Sequence, residues 1–310
     1  MKKFNFTKHK NIQDDMPIAI KIVAFIATTF LSVASVVPLL LCLSASLTDE
    51  MALATYGYKL IPSKFSTAAY EYILESGRQV WRGFGVSLVT TAAGVCLGLL
   101  LMSLFAYAVT RPSFPWKNQF SFFSYFTMLF SGGMVSSYII NTNYYHLRDT
   151  IWILILSGSV GAYNILLMRT YMRSSIPTEI FESAKMDGAG DVRCYWQFAL
   201  PMSKPMLATI GLFLTVGHWN NWNTGHLYLI RRNDLSPIML VLKRIENMAD
   251  YLSQAESQMS QSALDDAMAA LPTESFKMAL VVTVALPMII AYPFFQKFLV
   301  KGITVGSVKG

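Results

Sequence analysis

Six stretches of this chain contain no Asp, Glu, Lys or Arg: residues 22–48, 83–110, 118–147, 150–168, 205–230 and 278–296. A helix rises about 1.5 Å per residue and needs about 20 mostly apolar residues to cross about 30 Å of hydrocarbon. Each run reaches or nearly reaches that length. A buried core helix would account for any one of them, but not for six. Charged residues are 14% of the 310, against about a quarter in a soluble domain, and the deficit lies in these runs. The pattern predicts an all-α, polytopic membrane protein with six transmembrane helices. The basic lead MKKFNFTKHK fits a signal peptide, yet the apolar run behind it far exceeds an h-region of about 7–15 residues. A retained first span behind a short tail at 1–16 is therefore expected.

Lys and Arg set the orientation. With the N-terminus in the cytoplasm, the inner segments are 1–21, 111–117, 169–204 and 297–310. They hold 15 of the 25 basic residues and 6 of the 18 acidic ones, a net of +9. The outer segments hold the other 10 basic and 12 acidic residues, a net of −2. Both termini are then cytoplasmic, and the basic balance requires no nucleic-acid partner because the membrane lipid accounts for it. The expected organisation is a single transmembrane domain over 1–310. It has a cytoplasmic tail at 1–16, a six-span core at 17–298 with an inner loop at 171–204 and an outer loop at 231–277, and a cytoplasmic tail at 299–310. Residues 49–82, with Pro62 among regularly spaced Tyr and Phe, read as a compact outer cap. In the outer loop Ser262 and Asp265 have the spacing of a capping box, and Leu271-Pro272 would end the helix they begin. Gly94 and Gly98 stand in GxxxG register, a spacing that lets helix backbones approach closely and also arises by chance in spans.

Several chemistries are excluded by what is missing. The chain has no GxxxxGK[ST] loop to cradle phosphates, and no HExxH, CxxC or GxSxG. Cys42, Cys96 and Cys194 have no metal or redox spacing. No catalytic residue, metal or cofactor is expected in this chain. The spans also hold no Asp or Glu, which argues against ion-coupled transport, although backbone carbonyls can bind sodium. An ion-gradient-driven secondary sugar carrier stays as the alternative. A membrane glycosyltransferase would want paired carboxylates or a metal site near one face. The polar exception is GHWNNWNTGH at 217–226, in the outer half of the fifth span. Trp219 and Trp222 have flat apolar faces suited to sugar rings, and Asn220, Asn221 and Asn223 both donate and accept hydrogen bonds. That cluster reads either as a substrate path or as an interfacial aromatic belt.

The inner loop contains ESAKMDGAGDVRCYWQFALP at 182–201. Its residues predict a first helix capped by Thr178 and running to about Asp187, closed by Gly188 in a left-handed turn. A second helix, capped by Asp191, would stop before Pro201. Val192, Tyr195, Trp196 and Ala199 would form its apolar stripe, and Ile180, Phe181 and Ala184 share a face of the first. A small helix–turn–helix with an apolar face and charged edges fits either a partner protein or the chain's own membrane domain.

These residues resemble a specific signature. Glu182-Ser183-Ala184, Gly188 after three residues, Phe198 after nine more, then Leu200-Pro201 is similar to the EAA–x3–G–x9–I–x–LP motif of ATP-binding-cassette (ABC) importer permeases. Ser183 for alanine and Phe198 for isoleucine are the departures. The tail FLVKGITVGSVKG at 298–310 resembles that of maltose-importer-type permeases. GHWNNW and the stretch TESFKMALVV are similar to the subgroup serving larger oligosaccharides or polysaccharide fragments. The resemblance implies a type I ABC importer permease fold and a single permease domain, with both termini inside a bacterial cytoplasmic membrane. It also implies a homologous second permease, two ATP-binding subunits that carry ATP and Mg, an extracytoplasmic solute-binding protein and a carbohydrate substrate. The loop at 179–201 would be the coupling helix. Glu182, Ser183, Ala184, Asp187, Gly188, Leu200 and Pro201 would meet the ATPase, and the tail at 302–310 would approach the same interface.

Overall fold

A computed structural model describes residues 17–76, 78–255 and 274–307. The expected tail at 1–16, the Ser262–Asp265 capping box, Leu271-Pro272 and residues 308–310 lie outside the described residues. Among those described the chain is helical, with an isolated bridge between Thr48 and Phe65 and no named strand. The helices are α1 (Ile18–Ser46), α2 (Glu50–Tyr56), α3 (Ala68–Ser76), α4 (Arg78–Thr110), α5 (Lys117–Leu129), α6 (Gly133–Tyr144), α7 (Ile151–Leu156) and α8 (Ala162–Ser175). They continue as α9 (Thr178–Met186), α10 (Asp191–Met202), α11 (Lys204–Trp219), α12 (Trp222–Tyr228), α13 (Ile238–Ala255) and α14 (Glu274–Ser307).

Among the described residues three helices, α1, α4 and α14, are long and apolar enough to cross a membrane as they stand, and up to five if each bent pair counts as one span. The sequence runs predict uninterrupted crossings, and the differences fall where glycine or proline interrupts a run. The third run folds back by 116° between α5 and α6, at Gly132-Gly133, where Gly133 has φ +80°. The fourth is two shorter helices, α7 and α8, separated around Gly158 at φ +84°. The fifth starts just past a 77° bend between α10 and α11 at Ser203, with Pro201 and Pro205 on either side, and breaks at Asn220-Asn221 before α12.

Contacts divide the chain into two compact units. One comprises residues 1–70 and 273–282. Here α1 keeps its apolar surface out in the open, as a helix facing lipid or another membrane protein does. The expected outer cap is folded: Asp49 caps α2, its backbone N–H donates to the Lys64 carbonyl at 2.9 Å, and its carboxylate pairs with Lys64 at 3.3 Å. The Glu50 carboxylate accepts from the backbone N–H groups of Glu274 and Ser275, both at 3.0 Å, and from the Ser275 hydroxyl at 2.7 Å. It thereby satisfies orphan donors at the start of α14.

The other unit comprises residues 71–272 and 283–310, and α4 is its post. Helices α5, α7, α8, α11 and α13 all pack on it. Small residues permit this. A Cβ on Gly98 would lie 2.2 Å from the Ser159 carbonyl oxygen, and one on Gly94 would lie 2.6 Å from the His218 ring. The GxxxG register is thus used for close packing. Beside it the core of Met102, Ala106, Met168, Met172, Tyr195 and Ile210 joins α4 to α8, α10 and α11.

Because the atom facing Gly98 is backbone and cannot rotate away, Gly98→Ala is expected to overpack α4 against the α7–α8 turn. The expected loss is about 1–3 kcal/mol, read as a lower melting temperature of the detergent-solubilised chain. Gly85 has open space beside it, so Gly85→Ala is expected to change stability little or raise it slightly.

Candidate functional site

The loop at 171–204 is where sequence and structure meet most closely. Helix α9 ends with Gly188 at φ +80°, a region open to glycine at little cost. The Ala189 N–H donates to the Ala184 carbonyl at 2.9 Å, and the Gly188 N–H to the Lys185 carbonyl at 3.0 Å. This is a Schellman turn, in which the residue two beyond the cap bonds back across six positions. The interval from Ala184 to Gly188 is therefore a geometric requirement of closing the helix. Ala184 and Ala189, the two ends of the longer bond, are both buried, which supplies the apolar contact that accompanies such turns.

Two cap assignments are corrected. Thr178 is the first residue of α9 rather than its cap, and Pro177 precedes it without a side-chain hydrogen bond. Asp191 begins α10 and caps nothing; Gly190 stands before it. The Asp191 carboxylate instead pairs with Lys185 at 3.1 Å, tying α10 to α9. The second helix also runs past Pro201 to Met202. It does so through a π-helical segment at Tyr195–Ala199. The widened turn relieves the clash that a proline ring makes with an ordinary helical carbonyl.

The same widening changes the face. Cys194, Tyr195 and Ala199 are fully buried, whereas Val192 is 73% and Trp196 52% exposed. The expected stripe of Val192, Tyr195, Trp196 and Ala199 is thus split between an inner and an outer side. In α9, Phe181 and Ala184 are buried and Ile180 half-buried, so this apolar face belongs to the chain's own core. The Arg111 guanidinium, at the end of α4, stacks 3.7 Å from the Phe181 ring centroid and 4.5 Å from that of Tyr107. Burial pushes the Arg111 pKa down from its ordinary value, though a guanidinium stays charged. The Tyr107 hydroxyl donates to the Asp191 carbonyl at 3.2 Å, and the Tyr195 and Ser103 hydroxyls share a hydrogen bond at 2.8 Å. These contacts fasten both loop helices to α4.

What remains outward is polar with an apolar tip. Glu182, Ser183, Asp187 and Gly188 are exposed, and between them Met186 is 89% exposed. Sequence reasoning passed over Met186, although its position on the face opposite Phe181 and Ala184 was legible. Leu200 is half-buried and Pro201 exposed, one turn before the bend at Ser203. They line an apolar cleft of about 380 Å³ with Tyr195 and Lys204.

The GHWNNW cluster is a helix break. Helix α11 ends at Trp219, and Asn221 caps α12 by accepting from the Thr224 N–H at 3.1 Å. Trp219 is buried: its indole N–H donates to the Val284 carbonyl at 3.1 Å, and its ring meets Phe84 edge-on at 5.7 Å. It packs helices together and does not present a face to a passing ligand. Asn220 and Asn223 are exposed, and Asn221 and Trp222 half-buried. His218 is buried beside Ser159, with its Nε2 3.3 Å from the Ser159 hydroxyl. Among the described residues no group of three His, Cys, Asp or Glu could hold a metal.

At the opposite end of α7, Asp149 organises the chain with one oxygen. Its Oδ1 accepts from the backbone N–H groups of Ile230, Arg231 and Arg232 at 2.8, 2.8 and 3.3 Å. Those bonds, Arg231 foremost, hold its carboxyl below the usual carboxylate range.

No protein-family model matches the chain. It is 33% identical over 277 residues to the polygalacturonan/rhamnogalacturonan transport system permease protein YtcP of Bacillus subtilis (strain 168), across 89% of this chain and 93% of that one. It is 25% identical over 293 residues to the arabinooligosaccharides transport system permease protein AraQ of Halalkalibacterium halodurans, across 92% and 95%. Among solved structures it superposes with a TM-score of 0.77 and 26% identity on a chain of a bacterial ABC transporter involved in the import of the acidic polysaccharide alginate. That match spans 94% of this chain and 99% of the other.

The Asp149 arrangement has a direct consequence. In Asp149→Ala the amides of Ile230, Arg231 and Arg232 lose their acceptor and should exchange hydrogen faster, with Asp149→Asn intermediate. Unchanged exchange in the alanine variant would show that other groups hold this turn.

Proposed function

The chain belongs to the permease subunits of ABC carbohydrate importers, and from that premise we propose that α9 with its Schellman turn is the helix that receives force from a partner ATPase. The observation that carries this is the outward face of α9. Its inward face is already committed to Phe181, Ala184 and Arg111 of the chain's own core, which leaves Glu182, Ser183, Asp187 and the projecting Met186 for another protein. A long unbranched apolar side chain on an exposed tip suits insertion into a cleft, with Glu182 and Asp187 at its rim. Val192 and Trp196 extend the apolar surface along α10.

The working unit is this permease with a homologous second permease, two ATP-binding subunits and an extracytoplasmic solute-binding protein. The chain crosses the bacterial cytoplasmic membrane six times as one permease domain, with both termini inside. The bent and broken helices α5–α6, α7–α8 and α11–α12 each serve as one passage, and α10 stays with α9 in the loop before the fifth. The tail at 302–310 approaches the ATPase as well. ATP and Mg are held and used by the partner subunits, and this chain catalyses nothing. The cargo is a carbohydrate, an oligosaccharide or polysaccharide fragment, which the roles of the two permease relatives and the alginate importer support. Asn220, Asn221, Trp222 and Asn223, at the break between α11 and α12, stand in the substrate path, while buried Trp219 supports them from behind. Neither the relatives nor the carboxylate-free runs support the ion-driven carrier.

The mechanism rests on linkage. Two access states can be driven apart only by a difference in interaction free energy. This chain holds no nucleotide loop, so the difference comes from the ATPase closing on α9. Solubilising native membranes and identifying what co-purifies with the tagged chain should yield a second permease and an ATPase; a chain that purifies alone would overturn the reading. Gly188→Pro cannot adopt φ +80°. It is expected to abolish ATP-driven uptake while the variant still assembles with the second permease. Met186→Asp should lower ATPase co-purification at least about tenfold, as loss of a central interface anchor does.

A further inference from the structure

A cavity of about 650 Å³ lies where the first turns of α4 meet the segment leading into α13, lined among others by Arg78, Gln79, Arg82, Asn233, Asp234 and Arg244. Three guanidinium groups face one carboxylate. That carboxylate is already engaged, because Arg232 grips both Asp234 oxygens at 2.8 Å. The lining is therefore strongly positive.

Placing Arg78 and Arg82 here works against the helix. They stand at the positive end of the 33-residue α4, whose first turn contains no acidic residue. Cations at that end destabilise a helix, and an anion bound there reverses the sign. The floor is rigid as well. A Cβ on Gly83 would lie 3.2 Å from the Ser236 carbonyl oxygen, and the Ser87 hydroxyl accepts from the Ile238 N–H at 2.9 Å. One Arg244 nitrogen donates to the Asn233 side-chain oxygen and the Ser236 hydroxyl, both at 3.2 Å, which aims the guanidinium and, among the described residues, leaves its other donors without a hydrogen-bond partner.

We propose that this cavity binds the carboxylate groups of an acidic, uronate-containing oligosaccharide. A guanidinium fork matches a carboxylate with two parallel hydrogen bonds. The Asn233 and Gln79 amides suit sugar hydroxyls, and the volume is that of a small-molecule site rather than a flat protein interface. The inference rests on the carbohydrate-importer reading and narrows its substrate class. On the orientation proposed for the chain, the cavity opens on the outer side, where substrate arrives. It serves as a recruiting site ahead of the Asn220–Asn223 path.

The test uses the importer complex purified through this chain, without its solute-binding protein, in nanodiscs of neutral phosphatidylcholine. Trigalacturonate and its fully methyl-esterified form are titrated calorimetrically at low ionic strength, and melting temperatures control for folding. Trigalacturonate should bind at least about tenfold more tightly than the ester. Arg82→Gln and Arg244→Gln should each remove that preference, and Arg82→Lys should retain part of it. Because Arg78 is exposed, Arg78→Gln provides a variant in which folding is least at risk. Equal binding of acid and ester, no binding of trigalacturonate, or an unchanged preference in all three Gln variants would overturn the site. So would Gln variants that keep the preference yet lose capture of the solute-binding protein, which would make this an acidic-protein docking surface. Intact binding with no ATP-driven uptake of any carbohydrate would instead refute the importer reading and leave the site standing.

Discussion

The close approach of α4 to its neighbours is the constraint on which the larger unit depends. At Gly98 a single methyl would overlap the Ser159 carbonyl, at Gly94 it would strike the His218 ring, and at Gly83 it would press on Ser236. In a bilayer, apolar surface gains little by leaving lipid for protein, so helices associate through close packing and interhelical polar contacts. Small residues spaced along α4 provide the first, and Ser87 and Ser103 provide the second with the Ile238 N–H and the Tyr195 hydroxyl. Broken helices such as α7 and α8 can remain in such an environment because they are held against a continuous one.

That same post is the route by which a push on the loop at 171–204 would travel. Helix α9 is attached to α4 by the stacking of Arg111 on Phe181 and Tyr107, and α10 by the Tyr107–Asp191 and Ser103–Tyr195 hydrogen bonds. The Lys185–Asp191 pair is exposed and adds little by itself. The buried contacts carry the linkage, and they make the two loop helices one body with the C-terminal end of α4. A loop fastened this way cannot yield alone when a partner moves it. The bend at Ser203, flanked by prolines, is where α11 can change direction relative to that body.

Much of this was legible in the residues. Charge-free runs located the apolar segments, and the Ala184–Gly188 interval anticipated a left-handed helix end that the backbone realises. GxxxG register in α4 proved to be packing. What could not be read was anything decided by a third element. Trp219 offers the same indole to a ligand or to a neighbour, and only the position of Val284 settles that it is buried. The stripe on α10 assumed a period of 3.6, which the π-segment at Tyr195–Ala199 breaks, turning Val192 and Trp196 outward. Local signals also misplaced the caps at Thr178 and Asp191, since a capping residue is defined by where the backbone turns. The Gly132-Gly133 pair inside the third apolar run was the readable warning that this run would fold back.

The distribution of polar groups reflects a division of labour consistent with a permease. Within the apolar runs the described polar side chains are mostly bonded to helix carbonyls, as Thr90, Ser103, Thr209 and Thr215 are. Ser103 also reaches the Tyr195 hydroxyl, and none of these groups adds charge to the runs. Charge is kept for the two ends. On one side Glu182 and Asp187 surround an apolar tip, a mixture suited to a protein that docks and releases. On the other, Asp149 collects three backbone donors to fix the turn at 230–232. That turn in turn places Arg232 to neutralise Asp234. The carboxylate that would otherwise cancel the arginines of α4 is thereby largely offset by Arg232, although Arg82 still acts on it. The positive character of that cavity is thus a consequence of how the turn is tied, and the same carboxylate–backbone clamp that positions the chain also sets what charge it can receive.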